Sequence, residues 1–393
     1  MSIFDTVHDR KNTRSVKWDL APTIFQADDV LPMWVADMDF KAPEEVNSAL
    51  MERAKHGIYG YTAIDDDVND AVMNWLQKRH QWEIKKEWIS YSPGVITSLH
   101  MAVQALTEPG DGILIQTPVY TPFYNVIEQH DRKIVKNKLV LNDNYYKIDF
   151  KDFEEKLKQG VKAFILCSPH NPVGRVWKKE ELEEMARLCL KYDVIIFSDE
   201  IHADLIYPGE NHIPIASLSP EIAKNTVTCM SPSKTFNLAG LQASYIVTAD
   251  KQKRDAVNKH LGIQGHHMLN TMGNTAMEAA YRYGESWLDE LKQVLYNHKN
   301  YVTEMFEKNT TKLKVIRSEG TYLLWIDCSR LQLDSKQLKQ FMIQKAKVGL
   351  NTGVDYGSEG EKFMRINIAC PRKTLEDGVN RIINAVNNHT KKS

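Results

Sequence analysis

The sequence has few cysteines, and their spacing excludes several kinds of structure. Its 393 residues include five cysteines, an odd number, and no two of them form a CxxC pair. This pattern argues against a disulfide framework and against a structural zinc site, so we predict no metal centre. It is typical of proteins in a reducing compartment, and we therefore expect a cytoplasmic location.

Long hydrophobic runs and a strong net charge are missing too. No segment approaches the ~20 apolar residues that a membrane-spanning helix needs, and residues 1–19 are charged, unlike a signal peptide. The formal net charge is −1 with both signs interspersed, so neither nucleic acid nor a membrane is an expected partner. The GxGxxG, Walker A and HExxH patterns are absent as well, so these nucleotide-binding and zinc-protease motifs do not explain the chain.

The sequence does contain a regular alternation of apolar strand-like runs and amphipathic helical segments. Runs at residues 113–117, 162–167, 194–198 and 227–230 are mainly apolar and are separated by helical patterns. Such strands predict a mostly parallel sheet that is buried on both faces, which is an α/β fold. From residue 313 onward strands and helices alternate differently, and we expect a smaller α+β domain there.

Three polar residues stand just past the ends of such runs. They are Asn171, Asp199 and Lys234, in that order along the chain. Ligands of parallel sheets bind beyond the carboxyl ends of the strands, so the three residues predict one cleft. A lysine becomes reactive when it is shielded from water or held as an imine. Taken singly, each residue has a simpler explanation, as a loop lysine, a helix-capping aspartate or an Asn-Pro turn; the ordered set favours a shared site.

This ordered set resembles the pyridoxal-phosphate enzymes of fold type I, the aspartate aminotransferase superfamily. Two longer segments, Pro32–Phe40 and Ser233–Leu241, are similar to signatures of the MalY/PatB-type cystathionine β-lyases within that superfamily. The resemblance runs over nearly the whole chain. It implies the α/β transferase fold of type I, in which a large domain has a mostly parallel seven-stranded sheet between helices. The domains are expected at residues 51–285 for the large one and 286–393 for the small one, with an N-terminal arm, residues 1–50, packed on the small domain.

The resemblance also implies pyridoxal 5'-phosphate as the cofactor, and it assigns a residue to each requirement of that group. Lys234 would hold the cofactor as an imine and then act as the base at the substrate Cα. Asp199 would pair with the ring nitrogen, and Asn171 would bind the phenolic oxygen. Tyr120 matches the aromatic side chain that stacks on the ring, with ordinary packing as the alternative. Tyr120 is also expected among the catalytic residues, and both Asn171 and Tyr120 are expected to contact the substrate.

The phosphate-binding residues are expected at a turn between a strand and a helix. The stretch Gly94-Val95-Ile96 would present backbone N–H groups at a helix N-terminus, and Ser231 and Ser233 would add hydroxyl groups. By the resemblance, Tyr61 reaches the phosphate of the neighbouring subunit. This implies a homodimer with shared active sites.

Arg365 is expected to bind the substrate carboxylate through a two-pronged contact. Alternation along its strand-like run places Arg365 and Asn367 on the face opposite three apolar residues, although a solvated strand arginine would fit the same pattern. Two positions depart from the common aminotransferase pattern. This chain has His202 where many aminotransferases have a tyrosine, and Gln242 where they usually have a phosphate-binding arginine. Both changes resemble the β-lyase branch, and the sequence leaves open whether His202 contacts the cofactor or is only packed.

The preferred function is a carbon–sulfur β-lyase in amino-acid metabolism. It would cleave L-cystathionine or a related cysteine S-conjugate to pyruvate, ammonia and a thiol, and cystathionine as substrate would place it in methionine biosynthesis. The sequence does not identify the thiol that leaves. One alternative is an aminotransferase with a 2-oxo acid acceptor, and another is a cofactor-bound regulatory protein, which the intact set Asn171, Asp199, Lys234 and Arg365 disfavours.

Overall fold

A seven-stranded mixed sheet forms the centre of the larger part of the molecule in the computed structural model, which describes residues 2–390. The strand Ser244–Val247 is antiparallel to both of its neighbours, and the other neighbouring pairs are parallel. The mostly parallel sheet that the sequence predicted is therefore confirmed. The order across the sheet is Ile89–Ser92, Ser244–Val247, Thr226–Met230, Ile195–Asp199, Val161–Cys167, Gly112–Thr117 and Lys133–Lys138.

This sheet is buried on both faces because alternate side chains of its strands pack against helices on opposite sides. In the strand Val161–Cys167, Phe164 joins a cluster with the helix Lys179–Lys191. The next residue, Ile165, joins a cluster on the other face with the helix Val95–Leu106. Full burial of each such side chain contributes about 1.5–3 kcal/mol. The period of two along a continuously apolar strand thus fixes the three-layer arrangement.

A second, antiparallel sheet lies in the C-terminal part. The strand order is Lys314–Val315, Leu323–Asp327, Phe363–Asn367 and Asn351–Thr352. The short strand Leu31–Pro32 pairs in parallel with Val348–Gly349, so the N-terminal segment contacts this part of the chain. The domain boundaries predicted from the sequence stay predictions.

Helices cover both faces of the large sheet and pack on the small one. None within residues 2–390 has an apolar stretch long enough to cross a bilayer. The α-helices of this part of the chain are Val16–Asp19, Ala21–Phe25, Glu44–His56, Asp66–His80, Val95–Leu106, Pro122–Glu128, Phe150–Lys158, Lys179–Lys191, Pro220–Lys224, Pro232–Thr235, Lys251–Ile263, Thr271–Tyr283, Glu285–Asn309, Ser335–Phe341 and Arg372–Thr390.

Local sequence sets the ends of two early helices. The helix Glu44–His56 follows Pro43 and ends at Gly57, whose φ of 75° is readily adopted by glycine. The helix Asp66–His80 begins after Asp65, whose carboxylate accepts a hydrogen bond from the amide of Val68.

The structure departs from the local sequence pattern in three places. The pattern of the first 30 residues is irregular, yet they contain the helices Val16–Asp19 and Ala21–Phe25. These are too short to show a helical period, and tertiary contacts hold them. The helix Lys251–Ile263 was missed because it buries few residues, Val257 and Leu261 among them. The sequence over residues 132–140 has the pattern of a single strand, but the strand ends at Lys138. Residues 140–147 form a hairpin of the strands Val140–Asn142 and Tyr145–Lys147.

Candidate active site

The carboxyl ends of three adjacent strands bring the predicted residues into one cleft. Asn171 follows Val161–Cys167, Asp199 ends the next strand, and Lys234 lies in a short helix after Thr226–Met230. The cleft encloses a cavity of about 210 Å³. The predicted residues that line it are Gly94, Val95, Ile96, Tyr120, Asn171, Asp199, His202, Ser231, Ser233 and Lys234.

Lys234 is half-buried at the floor of this cleft. Its Nζ donates a hydrogen bond to the carbonyl oxygen of Ala36 at 2.7 Å. Burial, together with the positive charge of Arg365, lowers the pKa of Lys234 to about 8. With this pKa roughly a fifth of the amine is neutral near pH 7.4, and the neutral amine is the form that attacks a carbonyl or accepts a proton.

Asp199 is a buried carboxyl group with little compensation inside the chain. Its Oδ1 accepts a hydrogen bond from the amide of Ile201 at 3.1 Å, and within residues 2–390 it forms no ion pair. Burial raises the pKa of Asp199 to about 7, although the charge of Lys234 acts in the opposite direction. A buried carboxyl that lacks a cationic partner and faces a cleft is suited to a protonated ring nitrogen of a ligand.

Arg365 lies next to the cleft, where it contacts Asn171. Its Nη1 donates to Asn171 Oδ1 at 3.1 Å, and its Nη2 donates to the carbonyl of Trp34 at 3.0 Å and to Asn351 Oδ1 at 2.8 Å. The side chain is 3% exposed, so a solvated strand arginine is excluded. Its Nε is buried and has no hydrogen-bond partner in the described part of the chain. An unsatisfied guanidinium donor this close to the cleft fits a carboxylate ligand.

The N-terminus of the helix Val95–Leu106 supplies an anion site. The amide of Ser98 makes the first backbone bond of the helix, to the carbonyl of Gly94, so the preceding amides have no acceptor within the helix. Gly94, Val95, Ile96 and Thr97 all line the cleft. A Cβ at Gly94 would meet no protein atom within 4 Å, so the space at this helix end is open to a phosphate.

The two predicted serines differ in what they can offer a phosphate. Ser231 Oγ donates to the carbonyl of Ala243 at 2.7 Å and accepts from the amide of Ser233 at 3.0 Å. Its hydroxyl hydrogen is therefore already used to hold the turn. Ser233 lines the cleft, and its hydroxyl forms no hydrogen bond with residues 2–390, so it is the freer donor.

His202 and Tyr120 both line the cleft. His202 is 4% exposed, and burial and the charges of Lys234 and Arg365 lower its pKa to about 3. The imidazole is therefore neutral, and its Nδ1 has no partner in the described residues. Burial raises the pKa of Tyr120, which keeps the phenol protonated and able to donate a hydrogen bond.

Two further predicted positions are exposed. Tyr61 is 97% exposed in the loop between the helices Glu44–His56 and Asp66–His80, and it does not line the cleft of its own chain. Gln242 lines the cleft as an exposed residue with a φ of 51°. The role of Tyr61 across a subunit interface stays a prediction.

Sequence reasoning missed several residues of the site. Thr97 follows the predicted anion-binding stretch directly, and extending that stretch by one residue would have found it. Ala36 belongs to the segment Pro32–Phe40, whose likeness to a signature was recognised without a role for it. Ala239 belongs likewise to the segment Ser233–Leu241. Others gave no signal, because they reach the cleft only through folding; they are Pro93, Cys167, Ile201 and Ala243.

The residues present fit pyridoxal 5'-phosphate on several independent observations. Asp199 is a buried carboxyl without a cation, the helix end beside Gly94 is open and offers amides, and Lys234 supplies an amine in the same cleft. The unpartnered Nδ1 of His202 adds one more polar atom to the cleft. The roles of the individual residues stay predictions.

Comparison with known proteins gives the family. The model of the family Aminotransferase class I and II matches residues 28–382. Cystathionine beta-lyase PatB of Bacillus subtilis (strain 168) is 48% identical over 380 residues, which cover 96% of this chain and 98% of PatB. Protein MalY of Escherichia coli (strain K12) is 34% identical, with 98% of each chain covered. The crystal structure of cystalysin from Treponema denticola, which contains a pyridoxal 5'-phosphate cofactor, matches with a TM-score of 0.95 at 38% identity over 98% of both chains. The type I fold and the resemblance predicted from the sequence are thereby confirmed, and the chain belongs to the class I and II aminotransferase family.

Proposed function

We propose that this protein is a pyridoxal-phosphate-dependent carbon–sulfur β-lyase that cleaves L-cystathionine or a related cysteine S-conjugate to pyruvate, ammonia and a thiol. The observation that carries the proposal is the pairing of a buried carboxyl, Asp199, with a half-buried amine, Lys234, in one cleft. The 48% identity to a cystathionine β-lyase supports this reaction class.

Backbone amides and side chains would bind different parts of the cofactor. The amides of Val95, Ile96 and Thr97 would bind its phosphate, with Ser233 as a hydroxyl donor. Asp199 would accept a hydrogen bond from the protonated ring nitrogen and so keep the proton on that atom. When bound, pyridoxal phosphate accepts the electron pair that remains when the substrate Cα loses its proton.

The chain's own residues would then carry out the proton transfers. The amine of Lys234, with a pKa of about 8, removes the proton from Cα of the substrate. Arg365 orients the substrate by binding its carboxylate, with Asn171 alongside. The Cβ–S bond breaks with its electron pair on sulfur, so a thiolate leaves, and water converts the remaining three-carbon fragment to pyruvate and ammonia.

A direct test incubates the purified, cofactor-loaded protein with cystathionine, with and without a 2-oxo acid. We expect pyruvate and a free thiol in equal amounts without the oxo acid, because elimination needs no amino acceptor. The control is Lys224→Ala, which changes an exposed lysine outside the cleft, and it should form pyruvate and thiol at the wild-type rate. Turnover that requires the oxo acid and releases no thiol would instead identify an aminotransferase.

We extend the proposal to the assembly and the setting of the protein. The protein forms a homodimer in which the exposed Tyr61 reaches the partner's phosphate site. The five cysteines are free thiols, which supports a cytoplasmic location. Cleavage of cystathionine would supply a thiol to methionine biosynthesis.

The shared site predicts complementation between two inactive variants. Tyr61→Ala and Lys234→Ala are each expected to be severely impaired, and a mixed dimer places both lesions in one site and leaves the other intact. Subunit exchange should then restore up to about half of the wild-type activity, in proportion to the heterodimer formed. The measurement is pyruvate formation against heterodimer content. Tyr59→Ala, in the same loop, serves as control and should stay active, and verified heterodimers without recovery would place both residues in the same subunit's site.

A further inference from the structure

A buried carboxylate, Asp204, lies behind the cleft and binds the residue next to Lys234. Asp204 is 6% exposed. Its Oδ1 accepts hydrogen bonds from Trp75 Nε1 at 3.1 Å and His80 Nε2 at 2.9 Å, and its Oδ2 accepts one from Thr235 Oγ1 at 2.8 Å. Three donors thus converge on one carboxylate that does not line the cleft.

The protonation of this cluster follows from its hydrogen bonds. Trp75 and Thr235 can reach an ionised carboxylate only as donors, and His80 must carry its hydrogen on Nε2 to bond the same group. Burial alone would raise the pKa of Asp204, but the bonds from His80 and Thr235 hold it below its ordinary value. Asp204 is therefore a charged acceptor in the interior.

A second acid–histidine pair, Glu200 and His212, packs against the cluster. The rings of His80 and His212 pack edge to face with centroids 5.4 Å apart. His212 Nε2 lies 2.9 Å from Glu200 Oε2, and Glu200 is the neighbour of Asp199 in the chain. The pair of Glu200 and His212 thus packs against the same imidazole that binds Asp204.

The helix that carries Lys234 depends on such an external contact. It spans only Pro232–Thr235, and a single turn has little stability of its own because helix nucleation is unfavourable. Ser231 caps its start, and the Thr235 hydroxyl bond to Asp204 fixes its end. Thr235 follows Lys234 directly, so this bond sets the rotation of the turn and with it the direction of the lysine side chain.

We propose that Asp204 is a positioning residue that holds Lys234, through Thr235, in the orientation needed to bind the cofactor. The proposal rests on the proposed function, since it concerns the lysine that would hold pyridoxal phosphate. His80 and Trp75 act on Asp204 and not on the substrate.

The experiment compares Thr235→Val with Thr235→Ser in the cofactor-loaded protein. Valine keeps the shape of threonine but removes the hydroxyl, and serine keeps the hydroxyl. The readout is the rate of cofactor release, followed by the loss of the visible absorption band in the presence of a cofactor scavenger. A bond to a charged group justifies an expected increase of about tenfold for Thr235→Val, and release within about twofold of wild type for Thr235→Ser. We expect kcat to fall while KM changes little, because the lysine and not the carboxylate site is disturbed.

A matched control removes a similar bond elsewhere. Thr226 is buried in the strand Thr226–Met230, and its hydroxyl donates to the carbonyl of Ile222 at 2.7 Å. Thr226→Val should lower thermal stability, yet leave cofactor release unchanged. Equal release rates in the two valine variants would overturn the proposal, because the effect would then be one of general stability.

A double variant tests whether Thr235 acts through Asp204. In the Asp204→Asn protein, the further change Thr235→Val should accelerate release by less than about twofold, since the charged acceptor is already gone. A full additional effect would overturn the proposal; if Asp204→Asn does not fold, the threonine pair alone decides. A wild-type protein that takes up no cofactor would refute the proposed function, whereas a cofactor-loaded wild type indistinguishable from Thr235→Val would refute only the role of Asp204.

Discussion

Replacement of Lys234 with alanine is expected to abolish the covalent attachment of the cofactor and nearly all turnover. Wild-type protein should be yellow, and Lys234→Ala should lose the absorption band of the lysine-bound cofactor. The amine is both the attachment point and the base at the substrate Cα, and a positioned base alone typically contributes about 10²–10⁴-fold in rate. The measurements are the visible spectrum after removal of free cofactor and the rate of pyruvate formation.

The exposed lysine Lys224 provides the control for this change, because Lys224→Ala removes the same charge outside the cleft. Its spectrum and rate should match those of wild type. A Lys234→Ala protein that keeps both the band and the activity would show that another lysine holds the cofactor. A wild-type protein that is colourless and takes up no added cofactor would contradict the whole proposed function.

The sequence predicted those parts of the site that depend on strand ends. Parallel strands deliver the residues after them to one edge of the sheet, so the positions of Asn171, Asp199 and Lys234 followed from local apolar patterns and chain order. The anion site at Gly94 followed in the same way from a strand-to-helix turn. These predictions required no knowledge of contacts between distant residues.

Contacts between distant segments could not be predicted in this way. The carbonyls of Trp34 and Ala36 accept hydrogen bonds from Arg365 and Lys234, and the hydroxyl of Tyr322 also donates to Ala36. Such bonds leave no period in the sequence, because the backbone carbonyl is the same at every residue. The segment Pro32–Phe40 was recognised only by its likeness to a signature, and the structure supplies a physical cause for it.

The side chain of Asn237 extends the same explanation. Its Nδ2 donates to the carbonyls of Met38 and Phe40, and its Oδ1 accepts from the amide of Met38. Asn237 lies three residues after Lys234, and its hydrogen bonds attach the turn that carries Lys234 to the N-terminal segment. The two signature segments of the sequence are partners in one contact, which explains why both are needed to build the wall of the cleft.

Replacement of Asp199 is expected to have the second-largest effect on activity. In the loaded enzyme, removal of one member of a buried charged pair costs roughly 3–5 kcal/mol, which corresponds to about 10²–10³-fold or more in affinity or rate. Asp199→Ala and Asp199→Asn should therefore both lose most of their turnover, since neither keeps a proton on the ring nitrogen. Asp193→Asn, an exposed position, is the control and should stay near the wild-type rate.

The cofactor-free protein gives a second measurement on Asp199, which separates its burial from its role in catalysis. Its pKa is about 7 in the folded chain and about 3.8 ordinarily, so between these values the folded state holds a proton that the unfolded state has released. Stability should therefore fall as pH rises from about 4 to about 7. Asp199→Asn has no such proton, so its stability relative to wild type should increase with pH over this window. Chemical denaturation of both cofactor-free proteins at several pH values measures this difference. If the free energies of unfolding of the two proteins run parallel with pH and the variant also has near-normal turnover, Asp199 does not pair with the ring nitrogen.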